Sequence, residues 1–180
     1  MTVNCPWECE FLQGARKHDR PVPLDGETLP NRDIHVSEEF VNGQEALLLW
    51  LVSALAKAAA ASPEVVDFDA REALEACVRT WRTRHSGLYY ETLPDNPLAA
   101  GLCGVIQEAV QKFHKAEKEE TGVTKTRDAD VLGLLVFLQR FELDRNNGRR
   151  RGRAFLHALR GFYPLAPEGG SPPPSSLILL

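Results

Sequence analysis

Apolar residues recur at helical spacing through the middle of the chain. The sharpest stripe is Ala70, Leu74, Cys77, Val78 and Trp81, with Arg71, Glu72, Glu75, Arg79 and Arg82 turned away from it. That period predicts a helix over about 69–85 with one face in a core. Glu75 precedes Arg79 by four residues, the favourable order for a surface ion pair, and Gly87 is a natural stop. A helix over about 44–61 turns Leu47, Leu48, Leu51, Ala54, Leu55 and Ala58 inward. Leu49, Trp50 and Val52 fill its other side, so it is expected to sit centrally. Just before it, Ser37 with Glu38 and Glu39 reads as a cap and an acidic first turn, interrupted at Asn42-Gly43.

Asn96-Pro97 starts a further helix, a cap residue followed by proline in the first turn. Leu98, Leu102, Val105, Ile106, Ala109 and Phe113 carry it to about Glu120, and Gly122 ends it. Gly101 and Gly104 lie inside it, each costing about 1 kcal/mol relative to alanine. Close approach of a neighbouring helix is the expected compensation. Thr126 or Asp128 caps the next helix, which faces inward through Val131, Leu134, Leu135, Leu138 and Phe141; Leu132 and Val136 widen its apolar surface, and Asn146-Asn147-Gly148 ends it. A last helix over about 150–161 presents Phe155, Leu156, Leu159 and Phe162. Strand patterns are nearly absent, so the expected fold is all-α: a single bundle of about five long helices.

The flanks differ from the bundle. Residues 1–35 read as an irregular, proline-rich N-terminal arm, with a short helix possible over 7–17 on Trp7, Phe11, Leu12 and Ala15. Residues 36–164 form the helical bundle domain. Residues 165–180 have the Pro/Gly/Ser composition of a disordered tail and carry Leu177-Ile178-Leu179-Leu180. Those four apolar residues could add to a partner's sheet edge.

Composition narrows the classes. With 180 residues, 43 % hydrophobic and 26 % charged, the chain resembles an ordinary globular protein and can bury one core without staples. A net charge of −4 supplies no overall basic field, which makes nucleic acid an unfavoured partner. The longest apolar run, about 46–61, is too short to span a bilayer, so no membrane partner is expected. The first residues lack the charged and apolar regions of a secretory signal, and four cysteines in a chain of this length read as reduced thiols. Both point to the cytoplasm.

Two clusters could carry chemistry. Cys5, Cys9, His18 and His35 offer thiolate and imidazole ligands of the kind a tetrahedral zinc ion takes, in a segment with few apolar groups to order it. The plainer alternative is small thiols under Trp7 and solvated histidines. His18-Asp19 matches the metal-binding doublet of helical phosphohydrolases in two residues only, and the earlier histidine of that pattern is missing. The second cluster is Arg145, Arg149, Arg150, Arg151 and Arg153, between Arg140 and Arg160. Guanidinium forks suit phosphate or carboxylate, so this turn could bind an anion, nucleic acid or an acidic partner. The favoured reading is a solvated corner pairing with Glu142, Asp144 or the acidic run 117–120, because no aromatic residues alternate with the arginines to stack on bases.

Other chemistries lack their parts. A di-iron centre needs inward Glu-x-x-His pairs, whereas Glu72-x-x-Glu75 is on a polar face and His114-x-x-Glu117 runs in the wrong order. Neither a nucleophile elbow nor a phosphate-cradling glycine loop occurs, and Cys77 and Cys103 lie on apolar stripes. Tyr89-Tyr90 could serve a partner interface, but one ring in the core and one at the rim is the expectation. The favoured function is therefore a non-enzymatic interaction or regulatory protein, with a protein partner or with self-association through helices 44–61 and 128–145. The alternatives are a metal-binding protein or metal-dependent enzyme using the N-terminal cluster, and anion or nucleic-acid binding at Arg149–Arg153.

Overall fold

The computed structural model describes residues 29–161. The expected helix over 7–17, the ligands Cys5, Cys9 and His18, and the tail with Leu177–Leu180 lie outside the described residues. Among the described residues six helices follow in order: α1 (Glu38–Gly43), α2 (Glu45–Ala61), α3 (Asp67–His85), α4 (Pro97–Thr121), α5 (Asp128–Arg145) and α6 (Ala154–Gly161). Among the described residues there is no strand, and the fold is all-α. No helix among them is long and apolar enough to cross a membrane.

Local chemistry sets the boundaries. The Ser37 hydroxyl accepts from Phe40 N–H at 3.1 Å and opens α1. The Asn96 side chain accepts from Leu98 N–H at 3.0 Å at the start of α4, with Pro97 in the first turn. Gly122, at φ 79°, ends α4 in the left-handed conformation that glycine adopts without steric cost. The start of α5 departs from expectation, because neither Thr126 nor Asp128 caps it. Instead Asp130 accepts from Arg127 N–H at 2.9 Å, while Thr126 donates its hydroxyl to Glu117 at 3.1 Å. α3 begins two residues earlier than the apolar stripe indicates, because Asp69 accepts from Val66 N–H at 2.8 Å and closes that first turn.

α3 lies against α4, α5 and α6; α2 packs on α4 and α6, so α6 closes the ring between α2 and α5. The centre is held by α3 and α5 rather than α2, whose Leu49 and Trp50 are only partly buried. Val131, Leu132, Leu134, Leu135, Val136 and Leu138 are all buried on α5, more than one stripe can supply. α6 is short but inserts Phe155, Leu156 and Leu159, each at most 1 % exposed.

The glycines correct one expectation. Gly101 and Gly104 are exposed, and a Cβ added at either meets nothing within 4 Å. The close approach is at Gly133, where an added Cβ would stand 2.5 Å from the Phe40 ring. Gly133→Ala is therefore expected to destabilise the domain by about 1–3 kcal/mol through overpacking. Urea unfolding of this variant and of Phe40→Ala/Gly133→Ala checks the cause, because the double variant removes the clash and should recover part of the loss.

Candidate functional site

Two surface features stand out, and each is held in place by polar groups of α3. The first is the connector between α3 and α4. From Leu88 to Pro94 it has no regular secondary structure, and it is tied down to α3. Leu88 N–H donates to Thr83 C=O at 2.8 Å, and Thr92 N–H donates to the buried Thr80 hydroxyl at 2.9 Å. The Thr83 hydroxyl donates to Tyr90 C=O at 2.9 Å. Gln107 of α4 holds the Glu91 carboxylate. Among the described residues nothing bonds the backbone N–H of Tyr89, Tyr90 or Glu91. Leu88, Tyr89, Tyr90 and Leu93 are 65, 89, 70 and 59 % exposed. The expectation of one tyrosine in the core is thus overturned. Thr80 is buried at this point of α3, and its hydroxyl takes the connector's backbone at Thr92 instead of a tyrosine ring entering the core.

The second feature is the arginine turn between α5 and α6. Its two ends rest on buried carboxylates. Glu142, 0 % exposed, accepts from Arg71 Nε at 2.9 Å and from Asn146 Nδ2 at 2.6 Å. Asp67, 1 % exposed, accepts from Phe155 N–H and Leu156 N–H at 3.1 Å each, so a side chain of α3 caps α6. Asp67 N–H also donates to Gly152 C=O at 2.8 Å. Inside the turn, Asn146 Oδ1 and Asn147 Oδ1 accept from Gly148 N–H and Arg149 N–H at 2.7 and 3.1 Å.

The five arginines do different work. Arg153 reaches the carbonyls of Ala59 and Pro63 and satisfies the end of α2. Arg145 pairs with Asp144 at 3.1 Å and lies over the Phe141 ring. Arg149, Arg150 and Arg151 are exposed. Two shallow, open hollows flank them, one lined by Phe68, Arg71 and Asn146, the other by Pro63, Val66 and Leu98; Arg150 borders both. Of the expected acidic partners, Asp144 does pair with Arg145. Glu142 instead pairs with Arg71, and Glu117 binds the backbone of Lys125 and Thr126 at 3.0 and 3.2 Å. Glu75 and Arg79 form the expected surface pair at 3.4 Å.

The segment entering the domain is pinned between α3 and α5. Arg82 donates to both Asp33 oxygens at 2.7 Å and to Asn31 Oδ1 at 2.8 Å, and Asn31 Nδ2 donates to Gln139 at 2.7 Å. Arg140 donates to Asn31 C=O at 2.8 Å and Ile34 C=O at 3.0 Å. The Arg82 hydrogen bonds hold the Asp33 carboxyl below the ordinary carboxylate range. The anchor's contribution is therefore complete above the unfolded value and is lost as pH falls through the depressed one. Of the metal-ligand set only His35 is described, and it is exposed. Among the described residues no three His, Cys, Asp or Glu side chains gather as a metal site.

Comparison supplies no relatives. No family model, curated protein or solved structure matches this chain. The features above therefore rest on geometry alone. The chain's pattern gives no sign of Asp67 and offers Glu142 only as a partner for the arginine turn, not as a buried partner of Arg71, since both look like ordinary polar positions at helix ends. No spacing in the chain announces that each is buried against a distant element. The connector was legible as a site only through its composition.

Proposed function

We propose that the chain is a non-enzymatic interaction module that takes an extended, apolar segment of a protein partner along Leu88–Leu93. One observation carries the reading: four large apolar side chains stand in solvent on a backbone fixed along one edge by Thr80 and Thr83. Ordinary loops with exposed apolar groups pay an ordering entropy on binding; a fastened one has lost most of it already. The N–H groups of Tyr89, Tyr90 and Glu91, unbonded among the described residues, are main-chain donors a partner's backbone can take up, and the side chains supply selectivity. Self-association through α2 and α5 has less to recommend it, since their apolar faces are spent on the domain's own core. A cytosolic setting suits a module whose described cysteines, Cys77 and Cys103, are both thiols.

Selection of peptides from a random library on the immobilised full chain tests the reading. Peptides with alternating apolar residues are expected, and Tyr89→Ser/Tyr90→Ser should weaken them at least tenfold. Both rings are exposed, so stability should change by no more than about 0.5 kcal/mol. Binding that survives in the double variant, or a library that yields no connector-dependent peptide, contradicts it.

A second reading, anion binding at the arginine turn, draws on the exposure of Arg149, Arg150 and Arg151 beside two hollows. It predicts retention of DNA or RNA that weakens steeply with salt; absent or salt-independent retention disposes of it. Metal binding by Cys5, Cys9, His18 and His35 predicts stoichiometric zinc by elemental analysis.

A further inference from the structure

α3 and α4 pack directly, and each contributes one buried cysteine to their interface. Cys77 is 1 % exposed and Cys103 is 0 % exposed. The Cys103 thiol donates to Ala73 C=O at 3.4 Å, one turn before Cys77 on the same face of α3, which brings the Cys103 sulfur to the stretch of α3 that carries Cys77. The neighbouring Cys103 thiol and burial push the Cys77 thiol up.

The glycines beside Cys103 supply a second, independent observation. Gly101 and Gly104 weaken the first turns of α4, yet both are exposed and no neighbour needs their lack of a side chain. A helix weakened on both sides of a buried thiol opens there more often than elsewhere. We propose that Cys77 and Cys103 form a redox-responsive pair, closed to a disulfide between α3 and α4 by small-molecule disulfides of the glutathione class when the start of α4 opens.

The reaction balances with that oxidant alone. Cys103, as thiolate, attacks one sulfur of the small disulfide; that S–S bond breaks and one thiol leaves with the proton Cys103 gave up. Cys77 then loses its proton and attacks the Cys103 sulfur, forming the internal bond and expelling the second small thiol. Two electrons pass from the protein pair to the small disulfide. The product clamps α4 to α3 behind the Leu88–Leu93 connector and closes a loop in the unfolded chain, which raises stability.

Oxidised glutathione added to the full chain, followed by alkylation, trypsin and mass spectrometry, tests this. The expected product joins Glu72–Arg79 to His85–Lys112. In a Cys5→Ser/Cys9→Ser variant the intact mass should fall by about 2 Da, the two hydrogens lost, and the midpoint of thermal unfolding should rise by several degrees. Gly101→Ala/Gly104→Ala, whose added methyls enter open space, should slow closure roughly tenfold by stabilising the helix. Cys77 and Cys103 recovered as free thiols, or carrying glutathione separately without the cross-link, would overturn the pair. An unchanged rate in the glycine variant would overturn the opening route.

Discussion

Glu142→Ala is expected to destabilise the domain by about 3–5 kcal/mol, read as a shift of the urea midpoint at constant slope. Glu142 is fully buried, whereas about a third of the Arg71 side chain still reaches water. Removing the carboxylate strands the inner part of the guanidinium and Asn146 Nδ2, and leaves a void between α3 and α5. Arg71→Ala should be at least as damaging, because the charge it strands has no route to solvent. Arg71→Met/Glu142→Leu separates specific pairing from simple filling of space. A buried ion pair replaced by apolar side chains of similar volume commonly costs little, so the double variant should unfold near the parent. Single variants within about 0.5 kcal/mol of the parent would show that the pair is not buried in solution.

Asp67→Ala should cost about 3 kcal/mol. The carboxylate satisfies two buried N–H groups of α6, and each buried donor left without a partner costs about 1–3 kcal/mol. The loss has a location as well as a size. α6 is only 8 residues long and depends on this cap, so amide exchange should quicken at Phe155–Leu159 before it does in α3 or α5. Asp67→Asn keeps an acceptor and should retain about half the effect. Equal acceleration across the domain would mean that α6 is not held through Asp67.

The long helices were legible because burial of one face imposes a 3.6-residue period, and α3 and α4 carry it plainly, while α5 is apolar on more than one face. Position within the bundle was not. α2 is apolar nearly all round yet lies beside the centre, and small residues on its outer side are left partly exposed at Ala58 and exposed at Ala60. The glycines show the same limit: Gly133 faces Phe40 across the interface while Gly101 and Gly104 face nothing, and no local feature of the chain distinguishes them. The arginine turn was read as a solvated corner, and Arg145 with Asp144 fits that description. Arg153 instead ends α2, a role set by a fold that brings residues ninety positions apart together. The tyrosines of the connector were misplaced for a related reason: Thr80 and Thr83 look unremarkable until their hydroxyls are seen to fasten the backbone of the connector that follows them, 12 and 7 residues on.

Residue-resolved amide exchange along Leu88–Leu93 addresses the fastened connector most directly. Slow exchange is expected at Thr92, whose N–H is held by the buried Thr80 hydroxyl, beside fast exchange at Tyr89, Tyr90 and Glu91. Thr80→Val should abolish the difference and weaken any connector-dependent peptide with it. Uniformly fast exchange from Leu88 to Leu93 in the parent protein would contradict the account, since the segment would then be an unanchored loop.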